Sequence, residues 1–223
     1  MVEIKPEIKP EMKKEFLGIS LFIFLYVLCL LSALYAGTSQ FMALTFYSTV
    51  FLLSMMLLMI MSDKLDMPMF KIDTKVAVST LLATIVMFLF VALPQTGGLV
   101  RAQMAVASLP PTVENILNTL LFVALAESFF KFVIVRSMMA GGLPWTPSCI
   151  ITAGAFAVLH SFRYGFGVGP MLYLFIMGFI LLGIGRLPKI LGSDVELSGF
   201  PVVFAHFAHN IGISAASVIM LGV

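Results

Sequence analysis

Seven long apolar stretches, each near the length of a membrane-spanning helix, constrain the fold of this 223-residue chain more than any other feature. A helix needs about 20 mostly apolar residues to cross the hydrocarbon core of a bilayer. The predicted spans are Phe16–Ala36, Phe41–Met61, Val76–Leu93, Val113–Met139, Ser148–Phe162, Met171–Gly185 and Leu197–Leu221. Charged residues make up 11% of the chain, whereas they make up about a quarter of a typical soluble domain. The sequence therefore predicts an all-α membrane protein, a bundle of about seven transmembrane helices.

The charged residues divide and orient the chain. Residues 1–15 alternate Glu and Lys around two prolines, which indicates a charged cytoplasmic tail. Residues 16–112 hold the N-terminal transmembrane helices and loops, and residues 113–223 form a core that carries every histidine. Lys and Arg accumulate on the side that holds the N-terminus, and such an excess marks the cytoplasmic face. We expect an integral protein of the cell membrane with a cytoplasmic N-terminus.

Ionisable side chains occur in or beside the last four predicted spans and not in the first three. An ionisable group inside the bilayer costs roughly 2.5–3.5 kcal/mol on insertion scales and marks a functional site or a buried pair. The polar side chains concerned are Glu127, Lys131, His160, Arg163, His206, His209 and Asn210. Chance would scatter them over all seven helices, so the clustering predicts a polar pocket in the second half of the chain.

Helical spacing places two pairs of these residues on common faces. Residues four apart on a helix have Cβ atoms about 5–6 Å apart, as expected for Glu127 with Lys131 and for His206 with Asn210. A carboxylate with an imidazole can act as general base toward water, and a second imidazole with a carboxamide can donate hydrogen bonds to an oxyanion. Two alternatives remain open. Glu127 and Lys131 can form a self-neutralising ion pair, and the other side chains can form interhelical contacts.

Simpler roles are also open for the remaining residues. Arg163, next to a glycine-rich bend, fits an interfacial anchor, and His209 fits a residue that lines the pocket. Glu127, His160 and His206 could bind zinc as a three-ligand site with an open position. Spacing does not decide between a zinc site and chemistry carried by the side chains without a metal.

Three short motifs follow one another along the last four spans: AESFFK at 126–131, FAVLH at 156–160 and HFAHN at 206–210. This order resembles the CPBP intramembrane proteases, the family that contains the CaaX prenyl endopeptidases and bacteriocin-processing proteins. The resemblance covers roughly residues 113–215. It implies that Glu127 and His160 activate water, and that His206 and Asn210 hold the oxyanion.

The first motif departs from the E-E-x-x-x-R pattern of that family. Ala126 stands where the first glutamate belongs, and Lys131 stands where the arginine belongs. The related PrsW-type proteases carry E-E-x-x-K, which ESFFK at 127–131 resembles with Glu127 leading and Ser128 replacing the second glutamate. The later motifs of that group, F-x-x-x-E and H-x-x-x-D, differ from the ones in this chain.

Three functions fit the pattern. The leading hypothesis is an intramembrane endopeptidase that acts on a membrane-associated peptide or protein. Ala126 and Lys131 favour a second, a catalytically degenerate scaffold or subunit of a membrane protein complex. Buried Glu, Lys and His side chains also suit a proton-coupled transporter, although the two halves show no inverted repeat in sequence. Membrane lipid is a partner in every case, and a net charge of +2 gives no indication of nucleic-acid binding.

Overall fold

The computed structural model describes Ser20 and residues 71–92, 123–164, 167–195 and 197–221. Its helices are α1 Thr74–Ala92, α2 Leu125–Ala140, α3 Trp145–Tyr164, α4 Val168–Ile184, α5 Leu187–Ile190 and α6 Gly199–Leu221. The described residues contain no β-strand, so this part of the chain is all-α, as predicted. Apart from Ser20, the first two predicted spans, Phe16–Ala36 and Phe41–Met61, lie outside the described residues. The short helix α5 was not predicted from the sequence.

Helix α1 is long and apolar enough to cross a membrane over the 18 residues Thr74–Val91. Its outward face is apolar, with Leu81 62% and Val86 60% exposed. Soluble proteins rarely expose large continuous apolar patches, and such patches occur at membrane or protein interaction sites. Shorter apolar stretches occupy α3 and α4, at Trp145–His160 and Val168–Ile184. The number of spans and their orientation stay predictions.

Three helices carry a proline at their third residue. These are Pro147 in α3, Pro170 in α4 and Pro201 in α6. The first four N–H groups of a helix have no intrahelical acceptor, so the missing N–H of proline costs nothing there. The prediction that α3 and α4 begin after Pro147 and Pro170 was therefore wrong, since both helices begin before these residues.

Helix α1 begins at a capping carboxylate. The backbone N–H of Val76 donates to Oδ1 of Asp73 over 2.7 Å, which satisfies one of the free N–H groups of the first turn. The hydroxyl of Ser193 donates to Oδ2 of the same carboxylate and so joins α1 to the segment between α5 and α6. These hydrogen bonds, from Ser193 first and Val76 second, lower the pKa of Asp73 below its ordinary value.

Helix α2 lies in the core, and α3 and α6 pack against it. Side chains all around α2, such as Phe132, are buried. Glycines permit close helix contacts: a Cβ on Gly212 of α6 would lie 3.1 Å from Cβ of Val91 in α1, and one on Gly178 of α4 would lie 3.3 Å from Cδ1 of Phe156 in α3. The packing of α3 and α6 against α2 brings together the faces that carry the three motifs.

Candidate active site

Glu127 lies in the first turn of α2, and its carboxylate contacts two other helices. Oε1 lies 3.3 Å from Nε2 of His160 on α3, and Oε2 lies 3.5 Å from Nε2 of His206 on α6. The side chain of Glu127 is 9% exposed and that of His160 is 17% exposed. Three residues predicted from separate spans therefore meet in one cluster, which is most open at His160.

A bond to the backbone fixes the tautomer of His160. Its Nδ1 lies 2.9 Å from the carbonyl oxygen of Phe156, one turn earlier in α3. A carbonyl oxygen accepts and cannot donate, so Nδ1 carries the proton. In a neutral ring Nε2 is then an acceptor, and it faces Oε1 of Glu127 across 3.3 Å. A direct hydrogen bond there requires one further proton, on Glu127 or on His160, so the two residues form a pair suited to exchanging a single proton.

His206 lies between Ser128 and Glu127. Its Nδ1 is 3.3 Å from Oγ of Ser128, and its Nε2 is 3.5 Å from Oε2 of Glu127. When the serine hydroxyl donates to Nδ1, Nε2 carries the ring proton and directs it toward the carboxylate. Because 3.5 Å exceeds the usual N–H···O range of about 2.7–3.2 Å, the carboxylate holds this N–H only weakly, and a substrate oxygen beside Nε2 can accept from it.

Lys131 is fully buried, yet it forms no ion pair with Glu127. Its Nζ lies 3.9 Å from the centroid of the Phe156 ring and has no hydrogen-bond partner among the described residues. The same ring stacks against His160, with centroids 4.0 Å apart. The direct contacts of the two groups go to other partners, because the carboxylate turns to the histidines and the ammonium lies over the face of the aromatic ring. A cation held there gains from the negative ring face.

A second polar group lies beside the first. The hydroxyl of Tyr173 on α4 is 2.6 Å from Nε2 of His209, and Nδ1 of His209 is 3.0 Å from Oδ1 of Asn210. The ring centroids of His206 and His209 are 6.5 Å apart. His209 therefore has a partner on each ring nitrogen and links α4 to α6 next to the carboxylate cluster.

A cavity of about 90 Å³ borders the cluster between α2 and α6. It is lined by Leu125, Ser128, Phe129, Phe132, Gly199, Phe200, Val203 and Phe204. Ser128 thus contributes both to this lining and to the contact with His206. Apart from Ser128, the residues that line the cavity are apolar, so it suits an apolar group.

Comparisons with protein-family models, curated proteins and solved structures find no match. The resemblance to CPBP and PrsW-type proteases therefore depends on the motif residues, and membership of either family stays a prediction. Within the described part of the chain, no group of three or more His, Cys, Asp or Glu side chains could hold a metal ion. The zinc ligands predicted from the sequence, Glu127, His160 and His206, are thus not arranged as a metal site in this part of the chain.

Three residues of the site were not predicted from the sequence as functional: Ser128, Phe156 and Tyr173. A signal for Phe156 does exist, since it stands four residues before His160 and a helix places its carbonyl within reach of that ring. Tyr173 has no comparable signal, because its partner comes from another helix. Arg163 belongs to α3, but its side chain lies outside the described residues, so its predicted role as an anchor is untested.

Proposed function

We propose that this chain is an integral membrane endopeptidase, with a cytoplasmic N-terminus, that cleaves membrane-associated polypeptides. The observation that supports this most is the position of the Glu127 carboxylate, 3.3 Å from Nε2 of His160 and 3.5 Å from Nε2 of His206. Water activation needs a base that can take up a proton and release it again, and the Glu127–His160 pair has that property. The resemblance to CPBP intramembrane proteases supports the same reaction with the same residues.

In the proposed reaction, water beside Glu127 and His160 loses a proton to this pair while its oxygen attacks the carbonyl carbon of the scissile bond. The carbonyl oxygen becomes an oxyanion and accepts hydrogen bonds from Nε2–H of His206 and from the amide of Asn210. The intermediate then collapses, the C–N bond breaks, and the pair returns its proton to the leaving amine. One water is consumed, and a carboxylic acid and an amine are formed.

The substrate class follows from the surroundings of the cluster. The cavity that shares Ser128 with the site has no charged lining residue, so it suits an aliphatic side chain next to the scissile bond. The apolar outward face of α1 supports a position of the protein in membrane lipid. A polypeptide that lies in or on the membrane can reach both features.

The test uses the purified full-length protein in liposomes with a panel of membrane-anchored reporter polypeptides, in water enriched in ¹⁸O. We expect cleaved reporters to carry one ¹⁸O in the new C-terminal carboxylate. Glu127→Gln and His160→Ala should abolish cleavage. Thr152→Val is the matched control, because it removes a buried hydroxyl that bonds only within α3 and to Met138. Equal cleavage by Glu127→Gln would refute the mechanism.

Zinc dependence is measured on the same sample. We expect protein freed of zinc by a chelator, and checked by elemental analysis, to cleave at the full rate. Loss of cleavage that returns when zinc is added back would instead assign the reaction to a metal held by residues of this site.

A catalytically inactive scaffold in a membrane protein complex is the second candidate. It is favoured by Ala126, which is buried at 1% exposure where the related family has a glutamate. A scaffold would retain a stoichiometric partner in mild detergent, and Glu127→Ala would not change that binding. Cleavage of any reporter by the wild type that is lost in Glu127→Ala would eliminate this candidate.

Proton-coupled transport is the third candidate, because the Glu127–His160 pair can also pass a single proton along a pathway. Proton uptake into liposomes that stops in Glu127→Gln, without cleavage of any reporter, would favour transport over hydrolysis.

A further inference from the structure

A chain of two hydrogen bonds lies next to the carboxylate cluster and has no part in the proposed water activation. It runs from the hydroxyl of Tyr173 to Nε2 of His209 over 2.6 Å, and from Nδ1 of His209 to Oδ1 of Asn210 over 3.0 Å. Tyr173 and His209 are both buried, at 6% exposure each. A buried polar chain of this kind is well placed to control the orientation of its last member.

The direction of the chain follows from the atoms it joins. Oδ1 of Asn210 is a carbonyl oxygen and accepts, so Nδ1 of His209 must donate. In a neutral ring Nε2 is then the acceptor, and the phenol of Tyr173 donates to it. The separation of 2.6 Å is typical of a strong hydrogen bond from a hydroxyl. The protons therefore point from Tyr173 through His209 to Asn210.

This direction determines whether the oxygen or the nitrogen of the Asn210 carboxamide is available to a developing oxyanion. With Oδ1 turned to His209, the amide nitrogen lies on the other side of the carboxamide, and this nitrogen can only donate. Asn210 is four residues after His206, so the two side chains lie on one face of α6. If the chain ran the other way, Asn210 would present its oxygen to this face and repel a developing oxyanion.

We infer that Tyr173 is a positioning residue that acts through His209 to hold Asn210 with its amide N–H groups directed as oxyanion donors. The inference rests on the proposed hydrolase function for its catalytic meaning. The hydrogen-bond direction itself does not depend on any substrate, so it can be measured separately.

The direct test is ¹⁵N NMR of the full-length protein in detergent, labelled at histidine. The chain has three histidines, and single substitutions assign each ring. We expect His209 to carry its proton on Nδ1, with Nε2 as a hydrogen-bonded acceptor. In Tyr173→Phe we expect a mixture of both tautomers, and in Thr152→Val the wild-type spectrum. A proton on Nε2 in the wild type, or an unchanged His209 in Tyr173→Phe, would overturn the inference.

Kinetics provide the second readout once a cleaved reporter is in hand. Loss of one oxyanion donor lowers kcat by roughly 100-fold to 1000-fold, so we expect that loss for Asn210→Ala and about a tenfold loss for Tyr173→Phe, with KM unchanged in both. An effect of Tyr173→Phe on KM alone would overturn the positioning role. If the tautomer result holds but no reporter is cleaved, the proposed function fails and the hydrogen-bond chain stands. The wild-type spectrum decides the direction even if Tyr173→Phe does not fold.

Discussion

The Nδ1 atom of His160 donates to the carbonyl oxygen of Phe156 over 2.9 Å, and this bond decides which ring nitrogen faces Glu127. Since Nδ1 is occupied, Nε2 meets the carboxylate as an acceptor or as part of an imidazolium. Glu127 and His160 therefore behave as one unit with respect to the proton between them. A substitution of either residue is a change to that unit.

Glu127→Gln should leave the protein folded, with an unfolding temperature at or above that of the wild type. The glutamine amide can donate to Nε2 of His160, so this ring keeps a hydrogen-bond partner, and the cost of burying a charged carboxylate is removed. Glu127→Ala should unfold at a lower temperature, because two histidines lose a buried partner. Thermal melts of the three proteins in one detergent check this order. A large loss of stability in Glu127→Gln would contradict the proton-sharing contact.

Ser128→Ala should lower turnover about tenfold with little change in fold, because His206 loses the hydroxyl that holds Nδ1. Leaving one buried polar atom without a partner costs about 1–3 kcal/mol, so a modest fall in unfolding free energy is also expected. Turnover and denaturation are measured beside Thr152→Val, which keeps every histidine contact. A Ser128→Ala protein with the turnover of the control would show that this hydroxyl does not position His206.

Lys131 and Phe156 should be coupled in a double-mutant cycle. The ammonium lies 3.9 Å over the ring, and such a contact is worth about 2 kcal/mol when desolvated. We expect Phe156→Leu to be strongly destabilising in the wild type and less so when Lys131→Met is present. The free energies of unfolding of the four proteins, measured in mixed micelles, give this difference. Strictly additive effects would mean that the ring contributes only packing.

The Asp73 carboxylate should make stability depend on pH at the start of α1. Hydrogen bonds from Ser193 and Val76 lower its folded-state pKa. Its contribution is therefore present above the ordinary carboxyl value near pH 4 and is lost as the pH falls through the still lower folded value. Asp73→Asn keeps a capping oxygen but does not titrate. We expect the free energy of unfolding of the wild type to exceed that of Asp73→Asn at pH 7, and this difference to vanish below about pH 4. A difference that stays constant with pH would contradict the hydrogen bonds to the Asp73 carboxylate.

Much of the helical pattern in the described residues could be predicted from apolar run length. The span predicted at Val76–Leu93 corresponds to α1 at Thr74–Ala92. Its true start depends on the carboxylate of Asp73, a local contact that hydropathy does not register. The starts of α3 and α4 were misplaced for a different reason, since proline breaks a helix interior but is tolerated in the first turn.

The site was predictable as a set of residues but not as a set of contacts. The free-energy cost of placing an ionisable group inside the bilayer identified Glu127 and the histidines, because such groups rarely occur in apolar helices without a partner. This cost could not reveal that Lys131 turns to an aromatic ring, since i,i+4 spacing permits an ion pair with Glu127 equally well. The contact between Tyr173 and His209 joins residues 36 apart in the chain, and such pairings come from helix packing.

The rate of reporter cleavage by wild-type, Glu127→Gln, His160→Ala and Thr152→Val proteins, measured side by side in liposomes, tests most directly whether the carboxylate and its imidazole partner activate water. We expect Thr152→Val to cleave at the wild-type rate and the other two variants to show no cleavage above background, while all four proteins remain folded. Full activity in Glu127→Gln and His160→Ala would contradict the proposed chemistry.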